Sequence, residues 1–527
     1  MAVKKSEDIL NKPEIDDLVR AVEEATRATV MSTTRFIEPA GSTLSRAMSK
    51  RNHIVFGRRG SGKTSLLLKA KRDLSLKRTP VAFVDMEQFK SHSYPDVLIS
   101  VLIATLESFK EWVQEVGLNS TNKISWWKKV FGAQPERSPL NKTKSGQLVI
   151  NLNQQIENLN TILHSEDEAD LSYKWSSGDS VEAENTGELG VELKGIKAGV
   201  NSKETRKNDS NIEVTEASRR SKVNYLHRHM LDFRKLFKEI SDLAGTDAFL
   251  MLDDLYHIRR SDQANVLDYF HRATKGNQVW LKAGTIRHRT DWYLHSDPPK
   301  GLKLGDDADE IDLDITLEKF SIARTFLSSV LQEIAEEAGS QNPRIIMAES
   351  AMDRLVLASG GVARDFLTIF RRSVEVARER GGGFRGPKIG AEDVNRAAGE
   401  HDSSKREELK RDTNDERERL EKLFENVREF CFNTGTNCFL VERDWNQDGA
   451  KDIEELVDLR LIHRINPRVT VRDRAGKLYI AYMLDLSQYT GDRKRRGLNM
   501  ISFWSKDGSD QLRKASLIFA ERPVSGK

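Results

Sequence analysis

Short apolar runs separated by longer amphipathic stretches organise the N-terminal two-thirds of the chain. Ile54-Val55-Phe56, Val81-Ala82-Phe83-Val84, Ala248-Phe249-Leu250-Met251-Leu252 and Val279-Trp280-Leu281 are each a few residues long and bounded by polar or glycine positions. Such runs read as strands buried on both faces. The stretches between or beside them, Pro95–Val116, Lys222–Leu243 and Gln263–Thr274, carry apolar residues at helical spacing, and Ile311–Leu317 alternates as a fifth strand would. Strands alternating with helices predict a parallel α/β sheet. Ahead of it, residues 7–30 read as a helix with Pro13 near its start and Ile15, Leu18 and Val22 on one face, followed by a second helix over 42–49.

Beyond Leu317 the period becomes helical: Phe320–Ala338, Glu349–Ala358, Phe366–Arg378 and a helix opening at Ile389 form a small helical lid. The charged stretch Glu400–Glu421 starts as a linker. A helix over Glu416–Phe432, a strand at Cys438–Val441, a helical segment at Ile453–Leu459 and two alternating segments, Val469–Val471 and Leu478–Ala481, then surround a turn at Asp473–Gly476. Helices followed by a two-stranded ribbon resemble a winged-helix domain. The expected division is a helical lead-in over 1–50, an α/β core over 51–116 and 222–317, an insertion over 117–221, a lid over 318–400 and a winged-helix-like domain over 401–527.

The insertion is rich in Asn, Ser, Lys, Glu and Gly and too long for an ordinary connection. Within it, residues 189–200 alternate as a β hairpin does, and such an edge also suits a partner. Trp126-Trp127-Lys128-Lys129-Val130-Phe131 suits either packing onto the core or contact with a membrane interface, a nucleic-acid backbone or a partner protein.

Composition narrows the class. Hydrophobic residues are 38% and charged residues 31% of the 527, and no apolar run has the length of a membrane span. The opening Met1-Ala2-Val3-Lys4-Lys5 lacks the apolar segment of a secretion signal, so a cytoplasmic protein without membrane contact is expected. The 84 basic and 81 acidic side chains nearly cancel, which confines any nucleic-acid contact to a local basic site. Cys431 and Cys438 are the only cysteines; they can pair in principle, but two thiols in a large cytosolic chain are more often free, and no spacing suggests zinc.

One stretch carries chemistry outright. Gly57-Arg58-Arg59-Gly60-Ser61-Gly62-Lys63-Thr64, followed by Ser65, lies between an apolar strand and an apolar helix. In such a loop the backbone N–H groups close around a phosphate at the positive end of a helix, the lysine reaches β/γ oxygens and the hydroxyl serves Mg²⁺. The strand ending in Asp253-Asp254 supplies the acids such a site needs, Asp253 for Mg²⁺ and Asp254 for the attacking water. At the tip of the next strand Thr285 can report on the γ-phosphate and Arg287 can neutralise transition-state charge in its own or a neighbouring subunit; alternatively Arg287 and Arg289 are solvated loop charges. Arg364, in the first turn after Gly360-Gly361, either swings onto the phosphates or pairs with a surface carboxylate.

The phosphate loop, the double-acid strand, the Thr285-Ile286-Arg287 tip and the Gly360-Gly361-x-x-Arg364 turn together resemble the AAA+ P-loop ATPases of the origin-recognition and initiator type. The double acid and the Thr-x-Arg tip are also similar to those of STAND signalling ATPases. The resemblance covers about residues 35–117 and 222–400. It implies an ATP·Mg²⁺-dependent switch with Lys63 and Thr64 on the nucleotide, Asp253 and Asp254 serving metal and water, Arg364 at the lid-sensor position and the lead-in at 35–39 beside the adenine. The chain departs from many AAA+ members at Asp254, where they carry the longer glutamate, and in the size of the insertion.

A homo-oligomer is expected, and the mixture of features is similar to bacterial antiphage-defence ATPases, which are often encoded beside an effector protein. The rival expectations are a DNA-binding replication or transposition loader and a scaffold that holds ATP without turnover. Arg468, Arg472 and Arg474, with Arg493-Lys494-Arg495-Arg496, would supply DNA phosphate contacts through the C-terminal domain. Glu454, Glu455 and Asp458 make its prospective recognition helix acidic, which is poor for a major-groove reader.

Overall fold

The computed structural model describes residues 9–27, 36–39, 41–118, 140–182, 219–340, 342–381, 386–412, 417–445, 447–490 and 498–519. The segments 126–131, 189–200 and 493–496 lie outside the described residues.

Helix α1, Pro13–Ala25, starts with proline at its first position, where a missing N–H costs nothing, and buries Ile15, Leu18 and Val22 against the lid. After the short α2, Thr43–Ala47, the core begins with β1, His53–Phe56, and α3, Lys63–Leu76. β2, Val81–Asp85, and α4, Asp96–Val113, follow. Part of the expected insertion is regular after all: α5 spans Lys142–Glu182 and buries Leu148, Leu152, Ile156 and Leu159 in the same apolar cluster as α4. These four leucine-type positions recur at helical intervals, but the polar residues between them mask the stripe. The Lys222 ammonium ties this helix down, donating to the Leu163 carbonyl and the Asp96 carboxylate, each at 2.9 Å.

The expected helix over 222–243 is interrupted. A helical stretch at 219–228 breaks at His229 before α6, Met230–Ala244. β3, Ala248–Asp253, α7, Arg260–Thr274, and β4, Val279–Thr285, complete the alternation. A two-stranded excursion of β5, Tyr293–Leu294, and β6, Lys300–Gly301, precedes β7, Asp309–Asp312. The last strand therefore runs earlier than its alternation suggests. Asp312 accepts a hydrogen bond from the Asp314 backbone N–H at 2.9 Å, and the Asp314 carboxylate accepts from the Arg58 N–H at 2.8 Å; these bonds turn the chain out of the sheet.

The sheet has five parallel strands in the order β2-β3-β4-β1-β7. β1 and β3 are thus separated by β4, and the carboxyl ends of all three open on one edge, where ligands of such sheets bind. Register places Asp85 beside Asp253 and Phe56 beside Thr285.

The lid comprises α8, Phe320–Glu337, α9, Glu349–Ser359, α10, Ala363–Arg380, and α11, Ala391–Asp412. The expected linker is helical as far as Asp412. α12, Arg417–Thr434, β8, Cys438–Glu442, α13, Gln447–Asp458, β9, Ile462–Val469, and β10, Tyr479–Leu484, form the C-terminal unit. Its antiparallel sheet has three strands, β8-β10-β9, rather than a bare ribbon, a winged-helix-like arrangement. One apolar cluster runs from α1 through the lid into this unit. Cys431 and Cys438 are both free and buried, and burial raises both thiol pKa values.

Candidate functional site

The loop between β1 and α3 owes its shape to Gly60 and Gly62, both at positive φ (87° and 98°), a region that side chains disfavour. A Cβ on Gly60 would stand 2.8 Å from Arg364 Cβ, so the loop can meet the lid only as glycine. Gly57 N–H donates to the Thr285 carbonyl at 3.2 Å, tying the loop to β4. Lys63 opens α3 and is 4% exposed; its ammonium donates to the carbonyls of Gly57 at 3.0 Å and Arg58 at 3.4 Å. It lies 3.9 Å from an Asp254 oxygen and 5.6 Å from the centre of the Tyr256 ring.

Asp253 and Asp254 leave β3 differently. Asp253 is buried and hydrogen-bonded to the Thr64 side chain; burial first, and the Asp254 charge second, push its pKa up to about 7. A Cβ on Gly284 of β4 would approach its Oδ1 to 2.8 Å, so the neighbouring strand must be bare there. Asp254 adopts φ 53°, a left-handed conformation costly for a non-glycine residue, and its carboxylate is partly exposed.

A cavity of about 240 Å³ lies above this edge. Arg59, Gly60, Ser61, Gly62, Lys63, Thr64 and Ser65 line its floor, Asp254 one side and Arg364 the lid side. The structure thus brings together most of the residues expected from the sequence. Arg364 is anchored by its N–H to the Gly60 carbonyl at 3.3 Å and by its Nε to the Thr26 carbonyl at 3.2 Å. The far wall is mostly apolar: Phe36, Ile37 and Pro39 come from the lead-in and Phe326, Val330 and Ile334, with Glu333 beside them, from α8. Such a wall suits a flat base, and the polar floor suits phosphates.

Other expected residues go elsewhere. Arg58 is 3% exposed and does not line the cavity; its side chain donates to Asp314 at 3.3 Å, to the Ile315 carbonyl at 3.0 Å and to the Gly360 carbonyl at 3.1 Å. It fastens the phosphate loop to the lid turn. Thr285 is fully buried and its hydroxyl is shared with Thr290. Arg287 pairs with Glu310 at 3.0 Å and Asp312 at 3.5 Å, its guanidinium 4.0 Å from the Phe56 ring centre. Neither Thr285 nor Arg287 lines the cavity.

Five polar lining residues had no motif to announce them: Thr26 just after α1, Glu333 on α8, Glu87 just beyond β2, and Tyr256 and His257 just beyond β3. Burial raises the Tyr256 pKa and lowers that of His257. For the last three the signal available in the sequence was position alone, since residues following parallel strands gather at the carboxyl edge.

No cluster of three or more His, Cys, Asp or Glu side chains suited to a metal occurs among the described residues. Mg²⁺ at a nucleotide needs only one or two protein oxygens, since substrate phosphates supply the rest. The Thr64 hydroxyl and the buried Asp253 carboxylate form such an oxygen pair.

The prospective recognition helix of the C-terminal unit faces inward. Glu454 of α13 accepts from the Tyr482 hydroxyl at 2.8 Å and lies 3.7 Å from His288 and 3.9 Å from Arg464. Arg468, Arg472 and Arg474, in contrast, are exposed.

No family model and no curated protein matches the sequence. Among solved structures, the chain is similar to the Walker-type ATPase PABY2304 of Pyrococcus abyssi, with 12% identity and a TM-score of 0.36 over 92% of this chain and 96% of that one. It is also similar to the Aeropyrum pernix ORC1 protein in complex with DNA, with 14% identity and a TM-score of 0.32 over 94% and 96% of the two chains. No helix among the described residues is long and apolar enough to cross a membrane.

Proposed function

We propose that the protein binds and hydrolyses ATP with Mg²⁺ and acts as a nucleotide switch between its α/β core and its lid. The observation that carries this is one cavity whose floor is the Gly60–Ser65 loop and whose walls include Asp254, Arg364 and the apolar lead-in. The loop amides and Lys63 take the phosphates, Thr64 and Asp253 hold the cation, and Phe36 and Ile37 flank the base. When bound, Mg²⁺ supplies neutralisation of charge on the β and γ oxygens. Titration calorimetry with ATP and Mg²⁺ tests this directly: binding by the wild-type chain that Lys63→Ala weakens about 100-fold supports it, and no heat with either overturns it.

The switch is oligomeric in this proposal. Arg287 does not line the cavity of its own chain, so a transition-state role for it requires a neighbouring copy, and solution mass with and without ATP decides that point. The wider role, control of an effector or a nucleic-acid-associated complex in bacterial antiphage defence, rests on the resemblance of the motifs. Phage challenge of cells carrying wild-type or Lys63→Ala protein is its test.

A second reading, an ATP-dependent DNA loader, is favoured by the exposed Arg468, Arg472 and Arg474 beside an inward-facing α13. Such a surface suits sequence-independent phosphate contact. Charge reversal at Arg472 and Arg474 should weaken DNA binding and flatten its salt dependence by about one to two in slope; an unchanged slope removes this reading.

A further inference from the structure

The acid expected to face the attacking water, Asp254, is engaged by the phosphate-loop lysine here. Its backbone turns left-handed and its carboxylate lies 3.9 Å from the Lys63 ammonium, which makes it a counter-charge to that lysine. Two more carboxylates line the same cavity, Glu333 on the α8 wall and Glu87 at the end of β2, the strand beside β3. β2 pairs with β3 so that Asp85 stands beside Asp253. The chain then turns into a short 3₁₀ segment in which Asp85 accepts from the Glu87 N–H at 2.9 Å. That bond fixes the Glu87 backbone, and the exposed Glu87 lines the cavity together with Asp254, Tyr256 and His257. Among the described residues, no hydrogen bond or ion pair engages the Glu87 carboxylate, whereas Asp253 is bonded to Thr64. Glu87 is also one methylene longer than the aspartate that the motif puts in this role.

We propose that Glu87 is the general base that activates water at this site, with Asp254 as the charge partner of Lys63. This rests on the ATPase function proposed above. In the step, a water O–H proton passes to the Glu87 carboxylate as the water oxygen bonds to the γ-phosphorus. The bond from that phosphorus to the β–γ bridging oxygen breaks, its electron pair leaves with ADP, and the proton then passes from Glu87 to the released phosphate or to solvent. Asp85 is a positioning residue, acting through the Glu87 backbone.

The test compares Glu87→Gln, Asp254→Asn and His257→Gln in the full chain, measuring ATP·Mg²⁺ affinity by calorimetry and phosphate release at saturating ATP. The expected result is that Glu87→Gln lowers the turnover rate by about 100-fold or more while ATP affinity stays within about threefold. Asp254→Asn should change affinity more than Glu87→Gln does, and His257→Gln should lower turnover less than Glu87→Gln does. Asp85→Asn should lower turnover less than Glu87→Gln, with affinity kept. Wild-type turnover in Glu87→Gln overturns the proposal, as does loss of turnover confined to Asp254→Asn or His257→Gln. ATP binding by the wild-type chain without any phosphate release overturns it too, while leaving nucleotide binding intact; absence of binding instead sinks the function on which it rests.

Discussion

Two charged regions lie on opposite sides of the phosphate loop, and they treat their charges in opposite ways. In the cavity, Arg59, Glu87 and Asp254 line open space. In the joint beneath, opposite charges are paired within the protein. Arg58 binds Asp314 and the carbonyls of Ile315 and Gly360. Arg460 of the C-terminal unit pairs with Asp365 of α10 at 2.7 Å, the two being 4% and 2% exposed. His463 of β9 lies 2.7 Å from Asp485, and its ring sits against Gly360, where a Cβ would come to 2.1 Å. Contact therefore runs from the phosphate loop through the lid turn to the C-terminal sheet. The difference teaches where each part of the free energy resides: charge that borders the cavity can meet a ligand, whereas paired charge in the joint fixes one arrangement of three units.

Substitutions sharpen this contrast. The largest effect on the folded protein is expected from Arg58→Ala, which takes the guanidinium from Asp314 and the donor from two carbonyls; a loss of about 3–5 kcal/mol in denaturant unfolding is expected. Arg460→Leu should cost about 3 kcal/mol by leaving Asp365 buried without its closest cation, and the Arg460→Leu/Asp365→Leu double variant should regain much of it. If the double variant is no better than the single one, the pair does more than neutralise itself. Lys63→Ala should invert the pattern, weakening ATP by about 100-fold, roughly 2.7 kcal/mol, with a smaller change in ligand-free stability than either joint variant. Equal stability losses in cavity and joint variants would break the comparison.

The smallest effect concerns pH. Asp458, at the end of α13, has one oxygen enclosed without a hydrogen-bond partner. Burial first, and the nearby Asp314 charge second, raise its pKa to about 7, against the lowering influence of Arg58 and Arg289. A carboxyl whose pKa is raised by folding holds its proton in the native state between its ordinary value of 3.8 and about 7. Stability from this group is therefore full below that window and declines as pH rises through it. Asp458→Asn should remove the decline and raise stability at pH 8 by about 1–2 kcal/mol, measured as unfolding midpoints at pH 5, 6 and 8.

Much of this architecture was legible from local pattern. The apolar runs at Ile54, Val81, Ala248 and Val279 each became a strand of the parallel sheet, because a strand covered on both faces leaves no polar alternative along its length. The failures had local competitors. β7 ended at Asp312 because side-chain oxygens captured backbone N–H groups two positions on, and α5 hid its leucine stripe among Asn, Gln and Lys.

The sequence by itself determined the phosphate loop and the acids after β3, since both functions arise within a few consecutive residues whose backbone geometry glycine and strand ends dictate. Only the tertiary structure decided that Arg58 is a buried fastener, that Thr285 and Arg287 do not line the cavity, and that Glu87, Tyr256 and Val330 do. Those placements depend on which strands lie side by side and how the lid closes over them. Sheet order and domain packing come from contacts between residues far apart in the chain, and no local pattern encodes them.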